Sequence, residues 1–90
     1  MLNNKTALIT GANRGIGLSI LKKFAQEGSN IIAHSRKKND VFIDECKELS
    51  KKYNIKISHI YFDLLDRDQI KKEILSMIKT KIPIDILVNS

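Results

Sequence analysis

One cysteine, one proline, four glycines and five aromatic residues are all that this chain of 90 contains of those types. A lone Cys46 excludes a disulfide framework and a cysteine-ligated zinc site. No apolar stretch approaches the roughly 18 residues that a membrane span needs. The first ten residues lack an apolar signal core and include Lys5, so no export signal is read and the cytoplasm is the expected location. The five aromatics never interleave with a basic run as a base-stacking platform would. That matters because 16 Lys+Arg against 10 Asp+Glu leave a net charge of +6. Thirteen of those cations are Lys, many in pairs such as Lys22–Lys23 and Lys71–Lys72 alternating with acids, which is the pattern of solvated helix faces. Nucleic acid is therefore not an expected partner.

What remains is ordinary for a soluble globular chain, with 42% hydrophobic and 29% charged residues. The length allows one domain and rules out two. A chain of this size buries only about 60–65% of its unfolded surface, so marginal stability is expected. No repeat, low-complexity segment or interdomain linker interrupts it.

Short β-branched runs alternate with helical periodicity. Lys5–Thr10 reads as a buried strand ending at Gly11, and Ile16, Ile20, Leu21, Phe24 and Ala25 then recur at helical spacing until Gly28 stops the helix. Asn30–His34 is a second strand, followed by a helix whose apolar stripe is Phe42, Cys46, Leu49 and Tyr53. Ile55–Phe62 is a third strand. Asp66 and Gln69 have capping-box spacing at the start of a third helix striped by Ile70, Ile74, Met77 and Ile78. Pro83 ends it, and Ile84–Val88 is a fourth strand. The order β-α-β-α-β-α-β predicts an α/β fold, a parallel sheet with helices on both faces.

The segment Thr10-Gly11-Ala12-Asn13-Arg14-Gly15-Ile16-Gly17 falls where the first strand hands over to the first helix, and it holds three of the four glycines. A helix N-terminus offers unpaired N–H groups and the positive end of the dipole to a diphosphate. Glycine is needed there because a Cβ would obstruct the tight turn or the close approach of backbone to phosphate. The spacing G-x-x-x-G-x-G is neither G-x-G-x-x-G nor a P-loop, which requires Gly-Lys-Ser/Thr.

This signature resembles that of the classical short-chain dehydrogenases/reductases, and the stretch as a whole looks most like the 3-oxoacyl-(acyl-carrier-protein) reductase branch. Asp63-Leu64 follows the third strand, where the family places an acidic or Asn residue against the adenine. Asp85-Ile86-Leu87-Val88-Asn89 resembles the approach to the family's Asn-Asn-Ala-Gly motif, although Ser90 departs from the second Asn. The resemblance implies a Rossmann-type sheet of order 3-2-1-4, halted before a fifth strand, and a carbonyl/alcohol oxidoreductase. It also implies cofactor contacts from Asn13 and Ile16 along the phosphates and nicotinamide ribose, and from Asn89 beside the central part of the cofactor.

The second strand runs into His34-Ser35-Arg36-Lys37-Lys38, with no acid to accept from an adenosine ribose. Arg36 can grip a 2′-phosphate through its fork and Ser35 can donate to it, while Arg14 is a second cation that the family uses nearby. NADP(H) is expected in preference to NAD. The expected cofactor contacts are thus Gly11, Asn13, Arg14, Gly15, Ile16, Gly17, Ser35, Arg36, Asp63, Leu64 and Asn89.

No catalytic residue is identified. Family members use a Tyr-x-x-x-Lys pair and a Ser, since a phenol needs a nearby cation to exchange protons near neutrality. Tyr53 is followed four places on by Ile57 and Tyr61 by Leu65, so the chain by itself is expected to be inactive. His34 and His59 lack clustered ligand partners and read as structural or surface residues, Cys46 reads as a core residue, and no metal site is expected. Two functions follow: the cofactor-binding N-terminal part of an NADP(H)-dependent oxidoreductase, or a dinucleotide-binding module without chemistry. In the first, an exposed fourth-strand edge and uncovered apolar helix faces imply low solubility or a molten state for the isolated piece, with homo-oligomers only in a full-length version.

Overall fold

The computed structural model of the chain describes residues 2–80 and 83–90. Its elements follow in the order β1 (Thr6–Thr10), α1 (Gly15–Gln26), β2 (Asn30–Ser35), α2 (Asp40–Tyr53), β3 (Ile57–Tyr61), α3 (Arg67–Lys79) and β4 (Ile86–Asn89). All pairings are parallel, in the order β3-β2-β1-β4. The fold is the expected Rossmann-type α/β sheet.

Register assigns the two faces. Ile57, Ile31, Ala7 and Ile86 lie in one row, and His59, Ala33, Ile9 and Val88 in the next row on the same face. These rows meet α1 and α2, and the resulting core includes Ala7, Ile9, Ile31 and Ala33 together with Leu21, Ala25, Phe42 and Cys46. The stripe expected for α2 is buried as a unit: Phe42 and Cys46 lie within the core and Leu49 and Tyr53 pack on it. Alternation sends Leu8, Ile32 and Leu87 to the opposite face. The β3–β4 connection crosses back over β2 and β1, so its right-handed path carries α3 to that side. There α3 buries no residue, and Ile74, Leu75 and Ile78 stay exposed.

Three expectations need correction. The stripe of α3 is only half covered, because Ile70 and Met77 reach partial burial while Ile74 and Ile78 do not. Ile16, placed on the apolar stripe of α1, is 76% exposed. Its place in the first helical turn projects its side chain back past the end of the sheet, where no strand lies beneath it. The third and fourth strands begin two residues later than read, at Ile57 and Ile86. Asn54 takes a left-handed φ of +53° to close α2. Asp85 ties its own N–H to Thr6 O (2.8 Å) and its carboxylate to Thr6 N–H (2.9 Å), holding β1 before β4 starts.

Candidate dinucleotide site

Parallel strands put every strand-to-helix loop on one edge, and the strand order reverses between β1 and β4. The β1–α1, β2–α2 and β3–α3 loops there surround a cleft of about 620 Å³. Arg14, Arg36, Lys37 and Lys38 line it, against one carboxylate, Asp63. A second cavity of about 630 Å³ sits at the other end of the strands, around Thr6, Asn30 and Ile57, with Lys56 as its one cation among the described residues. Volume does not separate the two; charge and backbone chemistry do.

The helix starts make the distinction sharper. Asn39 caps α2 by accepting from Phe42 N–H (3.1 Å), and Asp66 caps α3 by accepting from Gln69 N–H (3.1 Å). The capping box of α3 is half made, for Gln69 Nε2 donates to Tyr61 O instead of returning to Asp66. In contrast, α1 begins at Arg14 with no side-chain cap and no acid in its first turn. Among the described residues the first N–H of this turn with a backbone partner is that of Leu18, at Arg14 O (3.2 Å). A helix end left so is finished by solvent or by an anion.

Two glycines shape the turn. Gly15 has φ +58°, and a Cβ built on it meets nothing within 4 Å, so open ground lies above the helix start. Gly17 is closed in: a Cβ there would collide with Gly11 O and stand 2.7 Å from Ser90 Oγ. Any side chain at 17 would push α1 off the loop. Unpaired N–H groups, open space over Gly15 and four cations fit a phosphate-bearing dinucleotide.

The other expected contacts divide. Gly11, Asn13, Arg14, Arg36, Asp63 and Leu64 line the cleft together. Arg36 Nη2 lies 3.5 Å from Asp63 Oδ2, an exposed pair that joins the β2 and β3 loops with an energy of about 0–1 kcal/mol. Gly15, Ile16 and Gly17 follow on the uncapped turn. Asn89 lies on the neighbouring strand, its Oδ1 accepting from Thr10 Oγ1 (2.9 Å) where β1 ends. Ser35 stands apart: it is 1% exposed, and its hydroxyl donates to Lys37 O (3.2 Å). It shapes the bend that presents Arg36 and does not face the cleft.

The sequence reads His34 as structural or surface, and it is structural, with a place in the site that spacing does not show. It lines the cleft floor at 2% exposure. No periodicity could reveal this, because the ring meets its partners only across the fold. Elsewhere Cys46 behaves as a core residue, its thiol pushed up to about 11 by burial and by the Glu45 charge. Among the described residues no cluster of three His, Cys, Asp or Glu could hold a metal, and no helix is long and apolar enough to cross a membrane.

Sheet order, glycine elbow and crevice at the strand reversal define a Rossmann-type domain. The short chain dehydrogenase family model matches residues 5–90, and the chain belongs to that family. It is 33% identical over 89 residues to gluconate 5-dehydrogenase of Gluconobacter oxydans, which covers 99% of this chain and 34% of that protein. Against 3-oxoacyl-(acyl-carrier-protein) reductase FabG of Thermotoga maritima it is 36% identical over 91 residues, covering 99% and 35%. Its fold matches L-sorbose reductase from Gluconobacter frateurii, solved with NADPH and L-sorbose, with a TM-score of 0.83 and 29% identity over 99% of this chain and 34% of that one. The chain spans about a third of the length of the relatives it matches.

Proposed function

We propose that these residues form the NADP(H)-binding part of an oxidoreductase that moves hydride between the nicotinamide and a carbonyl/alcohol pair. The family supports the reaction class, and the branch with 3-oxoacyl substrates is one of several among the relatives. When bound, the dinucleotide would donate the hydride in its reduced form or accept it in its oxidised form. The residues of this chain bind and orient it. The uncapped turn from Asn13 to Gly17 receives the diphosphate, Arg14 and Arg36 take the 2′-phosphate, and Asp63 and Leu64 border the adenine. Asn89 lies beside the central part of the cofactor. The 90 residues hold no Tyr-x-x-x-Lys, so the proton-transfer groups come from outside them.

One observation carries the choice of NADP(H): Arg14, Arg36, Lys37 and Lys38 converge on a cleft that contains a single carboxylate. A 2′-phosphate adds about two negative charges there, and an arginine fork binds it by paired charge-assisted hydrogen bonds. Arg36→Ala should weaken NADPH by about 10–100-fold and NADH by less than threefold, as read by fluorescence titration. Equal weakening of both, or of neither, would remove the 2′-phosphate from Arg36.

A further inference from the structure

We infer that His34 is the positioning residue that sets the glycine elbow at the depth a diphosphate requires. The inference rests on the dinucleotide reading of the site. Its imidazole lies between two loops: Gly11 N–H donates to Nδ1 (3.1 Å), and Nε2 lies 2.8 Å from Phe62 O. A nitrogen that accepts from an N–H carries no proton of its own. Nδ1 is therefore bare, and Nε2–H donates to Phe62 O, which fixes one neutral tautomer. The ring also packs on Phe62, with centroids 4.2 Å apart. A buried imidazole is tolerated because both nitrogens are satisfied.

The same residue takes the next N–H as well, since Ala12 N–H donates to His34 O (2.8 Å). The first two N–H groups of the elbow are thus spent on one residue of β2, one through the ring and one through the backbone. Those left for an anion begin at Asn13. Through Phe62 O the ring also reaches the residue before Asp63, so it joins the phosphate end of the site to the adenine end. His34 acts on the site through Gly11 and Phe62.

Asparagine and glutamine divide these two jobs. His34→Asn places an amide near the Nδ1 position and can still accept from Gly11 N–H. His34→Gln reaches the Nε2 position and can still donate to Phe62 O, leaving Gly11 N–H without its acceptor. The experiment uses the protein that carries this chain, with NADPH as the probe and Gly11 amide exchange followed by NMR. His34→Asn should keep Gly11 protection and hold NADPH affinity within about threefold of the unmodified protein. His34→Gln should lose at least tenfold in both. In the unmodified protein the imidazole ¹⁵N shifts should report a protonated Nε2 and a bare Nδ1, a readout that needs no variant. Equal behaviour of Asn and Gln, or a protonated Nδ1, overturns the inference. Normal Gly11 protection without NADPH binding would instead overturn the dinucleotide reading and leave the His34–Gly11 contact standing.

Discussion

The two faces of this sheet carry similar residues and receive unequal cover. On one, Ala7, Ile9, Ile31 and Ala33 vanish beneath α1 and α2. On the other, Ile32 is buried, yet Leu87 is 66% exposed and α3 buries nothing. Sequence pattern is not the cause, because α3 has an apolar stripe as regular as that of α2. Position is. Helix α3 must span the return from one edge of the sheet to the other, and among the described residues β4 pairs only with β1. The face under α1 and α2 holds the domain together, whereas the opposite face stays largely uncovered among the described residues.

The largest test of that contrast sets Leu21→Ala against Leu87→Ala. The first removes a fully buried side chain and should cost about 2–5 kcal/mol by chemical denaturation. The second should stay within about 0.5 kcal/mol, and a matching loss would mean that the far face is covered in solution. Next in size is the reactivity of Cys46, buried beneath α2. With its thiol pushed up to about 11 it holds about a hundredfold less thiolate than at the ordinary value of 9.0, so iodoacetamide should label it slowly until the chain unfolds. Fast labelling of the native chain would mean that the better-packed face opens readily.

The smallest effect concerns His59, half-buried on β3 at the rim of the same core. Burial lowers its pKa below the ordinary 6.5. The folded state thus favours the neutral ring, and the unfolded chain takes up the proton first. Stability from this group is present above pH 6.5 and falls as pH drops below it. His59→Phe should flatten that dependence in thermal melts between pH 7.5 and 5.5, and an unchanged slope would assign it to another group. Nδ1 of His59 is buried without a hydrogen-bond partner among the described residues, in keeping with that direction.

Much of this was legible in the chain. The stripes of α1 and α2, the cap at Asp66 and the glycine elbow all express local rules: spacing, caps and turn chemistry. Strand order and the family emerged from the same segment. What periodicity could not express is tertiary. Ile16 has the right spacing for burial but overhangs the strand ends. Ser35 has the right chemistry for a phosphate but gives its hydroxyl to Lys37 O. His34 matters through two partners 23 and 28 residues away in the chain. A one-dimensional pattern has no means of showing such meetings.

The bare first turn of α1 has a practical consequence for anyone handling this protein. On the proposed reading, sulfate or inorganic phosphate, which offers the same oxygens as the middle of a nucleotide, should compete for that turn. Melting temperatures will rise with such salts more than with chloride, by mass action. Dinucleotide titrations run in phosphate buffer should then give a weaker apparent affinity than those run in chloride.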